Sequence, residues 1–540
     1  VIGFLSLLFL FCIIGTVIEY LIIRTFKEKA RFRLAGFVSA MKGLEIEYFG
    51  IHQENSRPND TDTETEWQSI ENNFTSEYML SCRTVYDRIY PFQRFFLNFS
   101  FLSNAYSLTS QRGSDDKGLA ILNGVRVLSI LWVLTGHCFS GTGLGSPIIL
   151  NSVKRLVDNF PFLMISNGDF SVDTFFFIGG LLAAFVLSIK MSKMTSSQSV
   201  KTVPMSYVHR YLRLTPLMLV VILVSWKLVP YFGSGPLWHG THAKLIGDQA
   251  CDKYWWTNIV YINNVYPSSN ESTCLTQLWY TANDMQFFLI TPFLLIIYLF
   301  VNKTAGVLSI MALCIASWIH IWILTYQYHF AAYLDTPDNQ HQDYYFSPLT
   351  RVPVYLLGVL FGLAYYEYRK NGKFVKFVDV VNSKRWVRLL FYAVGITLTS
   401  FVIFSVWPLA KDYGTLWDDP TNAAYLSFGR SGFVLGMAFF LLPVVLGHNT
   451  FVRNLLDNYL MVPLSRLTYG VYLTQLTVIT WFWGTQQYGF EVTYMQVFYI
   501  AIGTALTCFL ISAVLYLLVE IPMARLERTY LMPSKKTSAQ

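Results

Sequence analysis

What this sequence lacks first of all is charge. Asp, Glu, Lys and Arg make up 14% of its 540 residues, against a hydrophobic share of 53%; soluble domains carry about 25% charged residues. So few charges cannot coat a water-soluble globule of this size, which leaves a polytopic membrane protein. Cysteine is also sparse. Cys12, Cys82, Cys138, Cys251, Cys274, Cys314 and Cys508 are scattered, mostly in or near apolar runs where a thiol packs as a small hydrophobe. That scatter contains no metal-ligand spacing, so no metal is expected. The net charge of +7 does not indicate nucleic acid, because the basic residues cluster between apolar runs. The first residue is Val, inside such a run, as expected of a fragment or processed form with an upstream domain missing. Residues 1–23 are too long and too evenly apolar for a signal-peptide core and read as a span.

What is present is a series of apolar runs and an aromatic content of 17%, suited to interfacial belts. The runs predict an all-α polytopic integral membrane protein with about eleven transmembrane helices. Their limits are 1–23, 119–139, 171–189, 211–231, 284–301, 305–326, 350–367, 388–408, 428–447, 464–484 and 495–519. Two contain a proline, Pro216 and Pro353, which membrane helices tolerate. The predicted organisation is a first span, a partly flexible cytoplasmic loop over 24–118, a transmembrane core over 119–519 and a cytoplasmic tail over 520–540. Orientation rests on Lys and Arg, dense at 24–33, 190–213, 369–388 and 525–536 and absent from 327–349. The basic loops fall on one side, which places the C-terminus in the cytoplasm. Cys251, Cys274 and the sequon at Asn270 then share a luminal loop. A disulfide there suits an oxidising compartment, and the sequon predicts a glycoprotein. The sequons at Asn59, Asn73 and Asn98 fall on the cytoplasmic side and are expected to be unused.

The most telling run is LAILNGVRVLSILWVLTGHCF, residues 119–139, which carries Arg126 and His137. Ionisable side chains in a span are costly and by default functional. Eleven positions separate these two; at about 100° per residue they share one helix face. A snorkelling arginine and a hydrogen-bonded histidine are the bland alternatives. Four further groups argue against them. Asp173 opens the next run at the expected level of His137 and can orient its ring, although a helix N-terminus favours an aspartate anyway. Arg210 and Arg213, expected at the cytoplasmic face, match phosphate oxygens together with Arg126; the charge bias of loops explains them equally well. Trp279, Tyr280, Asp284 and Gln286 stand at an expected luminal boundary, with Tyr280 and Asp284 four apart. Arg351 enters its span from the side poor in basic residues.

LNGVRVLSILWVLTGH, VDTFFFIGGLL, YVHRYLRLTP, LWYTANDMQFF, SPLTRVPVYLLGVLFG, LSRLTYGVYLTQ and VEIPMARLE occur in that order. Together they resemble the acyltransferase 3 family of integral membrane acyltransferases over residues 85–530. The extra first span and FFLNFSFLSNAYSLTS look like the animal nose-resistant-to-fluoxetine branch. The resemblance implies a ten-helix core preceded by one extra span. It also implies acyl-CoA as donor co-substrate, His137 as catalytic base and Arg126, Arg210 and Arg213 as donor-binding residues. Gln475 stands where the family usually has His, and a glutamine cannot take a proton.

The expected function is therefore transfer of an acyl group from acyl-CoA to a hydroxyl of a lipid or other small acceptor. Asp173 would assist His137, and Trp279, Tyr280, Asp284, Gln286 and Arg351 would meet substrate. The alternative is a non-catalytic lipid or xenobiotic transport protein on the same scaffold. Expected partners are membrane lipids, acyl-CoA and the acceptor, without nucleic acid; the expected location is the endoplasmic reticulum or plasma membrane. A Cys251–Cys274 bridge is expected to pin its loop as a lid over His137, Asp173 and Asp284.

Overall fold

The computed structural model describes residues 1–22, 24, 91–110, 116, 118–141, 159–267, 273–333, 341–411, 417–448, 451–488 and 493–531. Among the described residues there are helices and turns but no strand. Ten helices among the described residues are long and apolar enough to cross a membrane, so the chain is an all-α, multi-pass integral membrane protein. Cys82, Asn59, Asn73 and Asn270 lie outside the described residues.

The long helices are α1 (Ile2–Ile22), α2 (Leu122–Gly141), α3 (Phe170–Met191), α4 (Ser196–Lys227), α5 (Trp279–Ile296), α6 (Lys303–Tyr328), α7 (Pro348–Asn371), α8 (Arg385–Phe404), α9 (Asp419–Val445), α10 (Met461–Gly484) and α11 (Tyr494–Leu515). α10 is the exception among them. Its 24 residues are enough to span, but Thr468, Thr474, Gln475 and Thr480 leave it less apolar than the other ten. All four are buried. A helix that hides its polar face needs protein around it, and α10 packs on α2, α11 and the short helix Trp238–Leu245.

α4 corrects an expected limit. It starts fifteen residues before the apolar run at 211, because Thr195 and Gln198 form a reciprocal capping box, each satisfying an amide of the first turn. Arg210 and Arg213 therefore lie in mid-helix instead of at its cytoplasmic end. Both α4 prolines sit inside the helix, as does Pro353 in α7. α5 also begins earlier than expected, at Trp279, so that Tyr280 and Asp284 fall one turn apart on a formed helix.

The chain divides into two compact units. One comprises Ile2–Leu108 with Leu517–Gln540, the other Thr109–Tyr516. In the first, Phe11 of α1 packs edge-on against Phe95, Phe96 and Phe99. Glu19 accepts hydrogen bonds from the Ser100 hydroxyl and from the Ser103 amide at the start of helix Phe101–Thr109, where a carboxylate suits the helix dipole. Part of the expected loop 24–118 is thus helical. Asn98 is buried and its side-chain amide donates to the Phe95 carbonyl.

In the second unit α3 and α7 lie backbone against backbone. A Cβ at Gly180 would run into the Tyr355 carbonyl, and one at Gly358 into the Phe177 carbonyl. Glycine permits that approach. Cys251 and Cys274 are disulfide-bonded, tying helix Asp248–Ile259 to the segment that leads into α5. The Asn258 side chain donates to the Cys274 carbonyl at 3.0 Å beside the bridge.

Candidate functional site

α2 is unbroken through Arg126 and His137, so their shared face is real and about 16 Å separates them along the axis. Arg126 interacts electrostatically with Arg213 of α4 and with Tyr280 and Asp284 of α5. Arg210 forms an ion pair with Asp284 and sits over the Phe288 ring at 4.3 Å. This brings Arg126, Arg210, Arg213, Tyr280 and Asp284 together, from three helices. It also corrects their expected levels: Arg210 and Asp284 touch, so they cannot occupy opposite membrane faces. Arg126 and Arg213 make neither a hydrogen bond nor an ion pair among the described residues. Three guanidinium groups face one carboxylate here, an excess of two positive charges. Arg126, His137 and Tyr280 retain partial accessibility although neighbouring helices surround them.

Tyr280 connects this cluster to His137. Its ring lies 4.6 Å from Phe176 and 5.0 Å from Tyr472 of α10. One turn beyond Tyr472 is Gln475, which comes up against the His137 ring. Gln475 is fully buried, yet neither its Oε1 nor its Nε2 has a partner in hydrogen-bonding geometry, and nor has His137 Nδ1. An unmade buried hydrogen bond costs about 1–3 kcal/mol per group. Such a concentration of unsatisfied groups marks a place where a ligand, a water or a small movement completes the bonding.

Asp173 is elsewhere. Its Oδ1 accepts from Arg351 at 2.7 Å and its Oδ2 from Arg430 at 2.8 Å. The expected bond to His137 is not made: both carboxylate oxygens already face guanidinium groups, which bind them more strongly than a neutral ring N–H. Arg430 also donates to Asp169 at 3.0 Å and to the Tyr344 hydroxyl at 3.1 Å. Arg351 donates to the Tyr345 carbonyl and lies over the Trp279 and Tyr345 rings. Burial pushes the Asp169 carboxyl above its ordinary value, against the pull of Arg430 and Arg351. Two carboxylates and two guanidinium groups balance here. Arg351 and Trp279, expected to meet substrate, belong to this closed network.

Gln286 is also occupied with structure. Its side-chain nitrogen donates to the Tyr261 carbonyl at 2.8 Å, and its oxygen accepts from Asn264 at 3.0 Å. Asn264 donates further to Asn283. The bridged segment is thereby anchored to α5 next to Asp284. No hydrogen bond joins it to His137 or Asp173 among the described residues. Burial pushes the Tyr261 hydroxyl up to about 12, with the Thr215 hydroxyl as its partner at 2.9 Å.

Asp169, Arg430 and Tyr472 are absent from the candidates drawn from sequence. Arg430 carried a usable signal, being an arginine inside an apolar run.

A profile of the acyltransferase domain, of the acyltransferase 3 type, matches residues 119–517. Nose resistant to fluoxetine protein 6 of Caenorhabditis elegans is 28% identical over 403 residues, covering 71% of this chain and 48% of that protein. Regulator of hypoxia-inducible factor 1 of the same organism is 23% identical over 285 residues, covering 49% of this chain and 54% of that protein. The chain thus spans about half the length of the curated relatives it matches. No solved structure matches.

Proposed function

Since the chain belongs to the acyltransferase 3 family, we propose that it transfers an acyl group from acyl-CoA to a hydroxyl of a lipid or other small acceptor. The observation that carries this reading is the excess of two positive charges at Arg126, Arg210 and Arg213, with Arg126 on the same face of α2 as His137, whose Nδ1 is unpartnered. An uncompensated guanidinium group within an apolar helix, as at Arg126, is costly, and the phosphates of CoA supply the missing anions bidentately. Arg126 and Arg213 hold them, while Arg210 shares its charge with Asp284.

In this reading the acyl arm runs past Tyr280 toward His137. The His137 ring takes the proton of the acceptor hydroxyl as that oxygen attacks the thioester carbonyl carbon. A C–O bond forms and the C–S bond breaks. CoA leaves as a thiolate and collects the proton from the imidazolium. The C-terminus faces the cytoplasm, the bridged loop faces the lumen or exterior, and the membrane is the endoplasmic reticulum or the plasma membrane. Asn270 is the glycan acceptor.

Purified protein in lipid nanodiscs is offered labelled acetyl-CoA, longer acyl-CoA and hydroxylated lipids. Saturable CoA binding that weakens in Arg126→Gln, and transfer abolished in His137→Ala, is the expected result. Absence of any CoA binding or hydrolysis, with His137→Ala inert in the transfer assay, overturns it. Gln475, in place of the usual family histidine, favours one alternative, passage of a lipid or xenobiotic past the same residues. Flux that persists in His137→Ala without CoA binding would select that alternative.

A further inference from the structure

α2 and α10 run side by side over much of their length. Near their first turns the Ser465 hydroxyl donates to the Asn123 side-chain oxygen at 2.9 Å. Near the other end, Cys508 of α11 lies against both Cys138 and Thr474, the chain neighbours of His137 and Gln475. The pair is thus held at a three-helix junction, where neither helix can turn its side chain away. Gln475 is the one residue of this junction whose side chain is fully buried with both polar atoms unpartnered, and it adjoins a ring nitrogen that is unpartnered too. The Asp173 carboxylate, the obvious alternative orienter, is taken by Arg351 and Arg430.

We propose that Gln475 is the positioning residue for His137: its Oε1 accepts the Nδ1 proton, which fixes the ring in the tautomer whose free electron pair is on Nε2. The choice of ring nitrogen follows from the bond the other nitrogen makes. An amide oxygen suits this task because it accepts without carrying charge, whereas a carboxylate here would need a counter-ion in the membrane interior. The amide Nε2 of Gln475 then remains to donate to the bound acceptor. The inference rests on the transfer reading for its consequence but not for its geometry.

The test pairs kinetics with a spectroscopic signature. Gln475→Leu is compared with Gln475→Glu, which retains an accepting oxygen, and thermal unfolding establishes that each variant folds. Gln475→Leu lowers kcat by about 10–100-fold, the usual loss for a residue that orients another, and leaves the KM for acyl-CoA unchanged; Gln475→Glu recovers part of the loss, limited by the buried charge it brings and the donor it lacks. Nitrogen-15 NMR of histidine-labelled protein, with the His137 signal identified by its loss in His137→Ala, shows a protonated Nδ1 in the parent and a mixed tautomer in Gln475→Leu. A tautomer and a kcat that ignore Gln475→Leu overturn the proposal. So does a loss confined to KM or to thermal stability. Transfer that needs His137 but not Gln475 removes the positioning role and keeps the transfer reading. A tautomer set by Gln475 in a protein that transfers nothing keeps the positioning role and removes the transfer reading.

Discussion

Two polar groups lie in the same helical unit, and they differ in completeness; the second includes Arg213, which is exposed. Around Asp173 every charge has a counterpart: Arg351 and Arg430 clamp its two oxygens, Asp169 takes the remaining charge of Arg430, and the tyrosine rings of 344 and 345 cover the guanidinium faces. Around Arg126 the counterparts are missing. Two of three guanidinium groups lack a carboxylate, and farther along α2 His137 and Gln475 leave buried polar atoms unpaired. The closed network joins α3, α7 and α9 with its charges balanced, although Arg351 Nη2 has no hydrogen-bond partner. The open one leaves charge uncompensated as well as polar atoms unpaired. Buried charge alone therefore does not distinguish the two groups; its compensation does.

The most severe way to break this contrast is to open the closed network. Arg351→Met strips Asp173 of one partner in a fully buried position. The expected loss is about 3–5 kcal/mol of stability, read as thermal unfolding in detergent, with poor yield. A variant as stable as the parent would show that the network is not structural. The next largest effect belongs to the open group. His137→Ala reduces acyl transfer by about 10²–10⁴-fold, the span of general-base contributions, while thermal unfolding stays near that of the parent. A stability loss as large as that of Arg351→Met would erase the distinction between the two groups. Arg126→Gln sits lower still. Donor affinity falls by about 10-fold, close to 1.4 kcal/mol, measured by labelled CoA binding, and its salt dependence shrinks.

The smallest effect concerns Asp116, just before α2. Its carboxylate accepts from the Gly118 amide at 2.9 Å, the Tyr365 hydroxyl at 2.7 Å and Arg369 at 2.8 Å. Burial works to raise this carboxyl, but these three donors outweigh it and hold it below its ordinary value of 3.8. Its stabilising contribution is thus present above that value and lost as pH falls through the lower folded one. Asp116→Asn costs up to about 1 kcal/mol at neutral pH, and the difference from the parent closes as the pH is taken below 3.8. A gap that stays constant with pH would show that charge plays no part.

Much of the open group was legible in the sequence, because its parts are local. Arg126 and His137 share one helix, Tyr280 and Asp284 share one turn, and Cys251 and Cys274 share one loop; periodicity and proximity along the chain reveal all three. The start of α4 was legible too in Thr195 and Gln198, but the apolar run at 211 masked it, and Arg210 was set at the wrong depth as a result. The closed network was not legible. Asp173 and Arg430 are joined across 257 residues, and no spacing rule links an aspartate at the start of one helix with an arginine in the middle of another. The shared membrane level expected for Asp173 and His137 pairs them, whereas two stronger partners arrive from α7 and α9.

The glycine seam between α3 and α7 has a mechanical consequence. With the backbones in direct contact at Gly180 and Gly358, the two helices cannot slide, tilt or roll against one another without a collision between main-chain atoms. Asp173 and Arg351 lie just ahead of that seam, so the pair behaves as a single stiff plate. That stiffness comes from what the seam lacks, a β-carbon at either glycine.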